Sequence, residues 1–266
     1  MPWTCSTPRH AVPVLALLAV LFAPADAVAT DSGQTRCFDA SGSTGVVSPA
    51  TPDPEAAGFN RQDCSLGASA AAALGVQYPS DIGSRGKDFS KLGSDGSVLP
   101  ASASSWSCVR DNQTGLIWEV KTSDGGLRDR NHSYTWYSDD ANSNGGLSGS
   151  LGSDTCAGTL TAGQCNTQAF IDAVNALTGN DRLCAATDWR LPRIDELQSI
   201  VDLSVNPRPA IDTALFPNTV PAIYWSASNA AGTPTGAWGL MFDGGVASFY
   251  SKGSSGAYVR LVRSTP

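Results

Sequence analysis

Seven cysteines and two histidines are the residues of this 266-residue chain best suited to metal or redox chemistry, and their spacing limits what they can do. Cys5 lies before an apolar N-terminal run, which leaves Cys37, Cys64, Cys108, Cys156, Cys165 and Cys184. None form a Cys-x-x-Cys pair and His132 is the only histidine after His10, so the close-set thiolates and imidazoles of a zinc site are missing. An even set of cysteines in an exported chain fits disulfides. Cys37 with Cys64 and Cys156 with Cys165 are the local pairings. Cys108 with Cys184 then joins distant segments, and Cys165 with Cys184, bracketing a helix, is the alternative. Nucleophilic catalysis has little to work with. There is no Gly-x-Ser-x-Gly elbow, and a single histidine leaves a Ser or Cys nucleophile without an evident base. Asp195 and Glu196 are neighbours on an expected helix and point apart, which argues against an acid–base pair. The expectation is a protein that binds and does not catalyse.

Two further groups could bind. Asp140-Ala-Asn142-Ser-Asn144-Gly145 matches the first half of a calcium loop, with oxygen ligands at alternate positions and glycine at the bend. The twelfth position, normally acidic, is Leu151, and the same residues also make a simple turn. Asp140, Asn142 and Asn144 are therefore candidate Ca2+ ligands, with an ion-free turn as the competing reading. The second group lies in the C-terminal quarter: Trp225, Trp238, Tyr250 and Tyr258 among Ser226, Ser228, Asn229, Thr233, Ser248, Ser251, Ser254 and Ser255. Aromatic faces can stack on a ligand and short polar side chains on tight loops adapt to one. Core packing and plain turns compete with that reading. No Glu-Pro-Asn, Gln-Pro-Asp or Trp-Asn-Asp triplet accompanies them, so calcium-dependent sugar binding is not expected.

The elements that must position these groups follow from periodicity. Leu116-Ile-Trp118 after the Thr114-Gly115 turn and Tyr134-Thr-Trp-Tyr137 predict short strands, followed by a Gly/Asn/Ser loop from Asp139 to Gly163. Phe170, Val174 and Leu177 recur at helical spacing after a cap at Asn166 or Thr167. A strand around Trp189-Arg-Leu191 leads through Pro192 into a second helix bearing Leu197, Ile200 and Val201. Trp189 and Leu191 should pack inward, with Arg190 ion-paired or bonded to loop carbonyls. Four prolines then precede strands at Ile223–Ser226, Ala237–Phe242, Val246–Tyr250 and Tyr258–Arg263. Two helices and then antiparallel strands predict an α+β fold, loop-rich and disulfide-bonded.

Arg9 and His10, the twelve apolar residues Ala11–Phe22 and the Ala25-Asp26-Ala27 site read as a signal peptide over residues 1–27. Twelve apolar residues are short of the about 20 that span a bilayer, so no transmembrane anchor is expected. Residues 28–105 form a Gly/Ser/Ala-rich extension carrying Cys37 and Cys64, expected to wrap on the main domain, with a turn at Asp95-Gly96. The chain is only 15% charged, with 17 basic against 24 acidic residues, which disfavours nucleic acid and anionic membranes. The place of action is expected to be secreted or periplasmic.

Asp111-Asn-Gln-Thr-Gly-Leu-Ile-Trp-Glu119, Asp188-Trp-Arg-Leu-Pro192 with Asp195–Asp202, Pro209-Ala-Ile-Asp212 with Phe216-Pro217, Tyr224-Trp-Ser-Ala-Ser228 and Tyr258–Arg263 together resemble the Lcl C-terminal domain family over residues 106–266. That resemblance implies a C-type-lectin-like fold, exported and used for binding. The family takes its name from a collagen-like bacterial adhesin for sulfated polysaccharide. No collagen-like repeat is present here, and residues 106–266 hold 11 basic and 15 acidic residues. The resemblance thus implies an adhesin-like recognition protein for an extracellular or envelope glycan or protein. The alternatives are an envelope-assembly component and, by analogy with other C-type-lectin-like proteins, a retroelement-diversified variable binder. Trp225, Ser226, Ser228, Asn229, Trp238, Ser248, Tyr250 and Ser254 are the expected ligand contacts.

Overall fold

A computed structural model describes residues 87–254 and 256–265 of the chain. The expected signal peptide, the Cys37–Cys64 bridge and Ser255 lie outside the described residues.

Among the described residues, seven strands make two antiparallel sheets. β1 (Phe89–Leu92), β2 (Cys108–Asp111), β3 (Leu116–Glu119) and β7 (Val262–Ser264) form the first, in the order β1-β2-β3-β7. The second joins β4 (Ile223–Asn229), β5 (Gly236–Met241) and β6 (Val246–Ser251) in sequence order. Helices α1 (Thr167–Asn175) and α2 (Ile194–Ser199) come between the third and fourth strands. With the disulfides Cys108–Cys184 and Cys156–Cys165 among the described residues, this is the expected loop-rich α+β fold. It also decides the pairing left open above: Cys184 reaches back to β2, and Cys165 closes its own short loop.

Alternation along the strands feeds two cores, because successive side chains leave a strand on opposite faces. Tyr224 and its register partner Leu240 pack with Trp118, Leu197, Phe216 and Phe242. Trp225, one residue on, joins Ile117, Tyr134, Trp136, Phe170 and Trp189 on the other side. Sequence patterning located this core well but overstated its strands. Tyr134–Tyr137 and Trp189–Leu191 alternate like strands, yet they make only isolated bridges, such as Tyr134 with Ala257 and Arg190 with Val262. Tyr134 meets a loop at Ala257, and Arg190 meets only the first residue of β7, so neither segment extends into a ladder. β7 begins only at Val262, since Tyr258 instead bridges Tyr224. α1 ends at Asn175, before Leu177, with Ala176 as its cap, and the Asn175 side chain holds both the amide and the carbonyl of Trp189.

The end of the chain is locked by buried charge. Glu119 and Lys121, both almost wholly buried, pair at 3.2 Å. Arg260, also wholly buried, donates to the Glu119 carbonyl and to Thr219 Oγ1. Burial pushes the Lys121 ammonium and the Arg260 guanidinium down from their ordinary values, Glu119 opposing both shifts. Among the described residues, no helix is long and apolar enough to cross a membrane.

Candidate functional site

A cleft of about 410 Å3 opens between the start of α1, the segment entering α2 and the first loop after Trp136. Its floor is Trp136-Tyr137-Ser138, an irregular segment pinned at several points. The Thr167 hydroxyl accepts from the Tyr137 amide at 2.9 Å and donates to the Tyr137 carbonyl at 2.8 Å. Trp136 Nε1 donates to the Ser226 carbonyl, and the Ser150 amide to the Trp136 carbonyl. Thr167 can do this because Asn166 caps α1, its side chain accepting from the Ala169 amide at 2.9 Å.

The walls are mixed. Gln168 and Ile171 project from α1; Leu191, Arg190 and Arg193 face them; Ala227 and Ser143 complete the rim. Arg190 and Glu196 form a two-point pair at 2.7 and 2.8 Å. Glu196 also accepts the Arg193 amide at 2.7 Å, fixing the first turn of α2. Burial alone would raise the Glu196 carboxyl, but the hydrogen bonds from Arg190 and the Arg193 amide outweigh it and hold the group below its ordinary 4.5. Arg193 binds Asp195 at 2.9 and 3.1 Å. Arg193 also borders a neighbouring depression of about 330 Å3, whose lining includes Leu116, Asp195 and Ser199. The Arg190 reading, a paired arginine between two inward-packed residues, is what the fold contains.

One border of the cleft is a loop that carries its own cation. Lys252, 1% exposed, places its ammonium 2.6 Å from the Asn144 carbonyl, 2.8 Å from the Leu147 carbonyl and 4.2 Å from the Trp136 ring centre. The three side chains of the calcium reading lie in this loop and are engaged within it. Asp140 Oδ1 accepts from the amide and side chain of Asn142, and the Asn144 amide oxygen accepts from Gly146. These side chains shape turns, and the loop carbonyls coordinate the lysine. Among the described residues, no group of three or more His, Cys, Asp or Glu is placed to hold a metal.

The expected ligand contacts scatter. Trp225 and Ser226 are fully buried, a correction to their expected surface role: Trp225 Nε1 donates to the Tyr134 carbonyl and Ser226 Oγ to the Trp238 carbonyl. Ser228 Oγ accepts from the Ile194 amide, tying β4 to α2. Asn229 donates to the Ser143 carbonyl at 2.6 Å and covers Gly145, so it braces the cleft loop. Trp238, Ser248 and Tyr250 are half-buried on the β5–β6 hairpin, and Ser254 is exposed beyond it. None of them lines the cleft. The cleft residues that sequence reading passed over, Tyr137, Gln168, Ile171 and Arg193, come from three stretches that only folding brings together.

A family model, the Lcl C-terminal domain, matches residues 107–263, more than half of the chain. No curated protein and no solved structure matches.

Proposed function

The chain belongs to the Lcl C-terminal domain family, and from that premise we propose that it is an exported, non-enzymatic, adhesin-like recognition protein whose ligand, an extracellular or envelope glycan or protein, docks in the cleft floored by Trp136 and Tyr137. The observation that carries this is the construction of the cleft. Its backbone floor is held by Thr167, its rim by Asn229, and its arginines by Glu196 and Asp195, so a recognition surface is rigid before any ligand arrives. The disulfides Cys108–Cys184 and Cys156–Cys165 suit an oxidising compartment.

A second reading, an envelope-assembly component, is favoured by one feature. Among the described residues β6 is an edge strand of its sheet, and Val246 and Phe249 on it are 60% and 55% exposed. Open edges with apolar side chains invite pairing with another chain.

One experiment separates them. Full-length protein is applied to glycan and extracellular-protein arrays beside Tyr137→Ala, Gln168→Ala and Phe249→Ser. Recognition at the cleft loses signal with the first two and keeps it with the third. Loss with Phe249→Ser alone, together with a change in oligomeric mass, moves the function to the β6 edge.

A further inference from the structure

We propose that the cleft takes an uncharged saccharide longer than one sugar unit; this rests on the recognition function above and names its ligand class. Charge is the first argument. Each guanidinium at the cleft is held by a carboxylate in two-point geometry, Arg190 by Glu196 at 2.7 and 2.8 Å and Arg193 by Asp195 at 2.9 and 3.1 Å. Such pairs carry no net charge. A sulfate or carboxylate entering here would have to displace a partner already seated in the geometry that anions favour. The surplus of acidic over basic residues in this part of the chain, 15 against 11, works in the same direction.

The pairs leave part of each guanidinium facing the cleft, although Arg190 also gives an N–H to the Leu191 carbonyl at 3.1 Å. Sugar hydroxyls, which accept as well as donate, suit those N–H groups without bringing a charge. Gln168 adds an amide, although its Nε2 is engaged by Asp172 at 2.9 Å, so its oxygen is the group left to accept. The second argument is the apolar wall. Tyr137, Ile171 and Leu191 offer aromatic and aliphatic surface to the C–H face of a ring, while the polar rim orients it. The third is length. Arg193 borders both the cleft of about 410 Å3 and the depression of about 330 Å3 beyond it, so a chain passing this residue contacts both.

The test is calorimetric titration of full-length protein with glucose, cellotriose, mannotriose and chitotriose, and with trigalacturonate and a sulfated heparin trisaccharide, each at ~50 and ~300 mM salt. The expected result is a neutral trisaccharide bound about tenfold or more tighter than any monosaccharide, nearly independent of salt and weakened about tenfold by Tyr137→Ala. Gln168→Ala, a half-buried helix position, serves as the second variant and is expected to weaken binding without changing the unfolding midpoint. Preference for the charged sugars, with affinity falling as salt rises and sensitive to both variants, overturns the ligand class and leaves recognition standing. So does a protein ligand lost with these variants while every sugar fails. Array and titration both insensitive to the cleft variants overturn the recognition reading as well.

Discussion

Removing the Cys108–Cys184 bridge is the perturbation with the most calculable outcome. It spans 76 residues, against 9 for Cys156–Cys165. Loop-closure entropy in the unfolded chain then gives about 4.5 kcal/mol for the long loop and about 2.6 kcal/mol for the short one. With a urea dependence of about 2 kcal/mol per molar, Cys108→Ala/Cys184→Ala should lower the unfolding midpoint by about 2 M and Cys156→Ala/Cys165→Ala by about 1.3 M. The long bridge also ties β2 to the turn just before Trp189 and Arg190, so its loss should loosen the arginine wall of the cleft. Urea denaturation followed by tryptophan fluorescence, at neutral pH under non-reducing conditions, measures both variants. Equal losses, or a larger loss from the short loop, would refute the entropic reasoning and place the bridges' contribution in the folded state.

Lys252→Met keeps the length of the side chain but leaves the Asn144 and Leu147 carbonyls without their buried donor and removes the contact with Trp136. A loss of about 2 kcal/mol is expected by thermal or urea unfolding, and unchanged or raised stability would mean that relief of the buried charge wins. Gly149→Ala should be worse than an ordinary surface change, because Gly149 has φ +95° and a Cβ there would collide with the Trp136 carbonyl oxygen. Its expected signature is a lowered melting temperature together with loss of any cleft ligand; wild-type behaviour in both would sink it. Glu196 sits below its ordinary 4.5 in the folded protein, so its contribution is complete above that value and lost as pH falls through the folded value. Glu196→Gln should therefore be less stable at neutral pH and show a shallower acid limb below about pH 4.5, which stability curves from pH 7 to 2 will reveal. Parallel curves for the two proteins would exclude this linkage.

Much of the molecule was legible in the chain. Spacing of Phe170 and Val174 placed α1, alternation in Ala237–Phe242 and Val246–Tyr250 placed the β5–β6 hairpin, and the cysteine count implied disulfides. These are local signals, because helical and strand periods repeat within a few residues. The same periodicity misled at Tyr134–Tyr137, where alternation reflects burial on two sides without a neighbouring strand to complete a ladder.

Partner choice was decided only in three dimensions. Nothing local distinguishes a tryptophan that stacks on a ligand from Trp225, which is sealed in the core with its N–H on the Tyr134 carbonyl. Nor does the Asp140–Gly145 pattern announce that a lysine more than a hundred residues later supplies the cation for its carbonyls. The sequence by itself determined the inward face of α1, the β5–β6 hairpin and that Cys108, Cys156, Cys165 and Cys184 form disulfides. The tertiary structure decided Cys108 with Cys184, Lys252 with the loop and the convergence of Tyr137, Gln168 and Arg193 on one cleft. The physical reason is that backbone preference and hydrophobic period act over a few residues, whereas a site is made of hydrogen bonds and charges whose partners are chosen by packing.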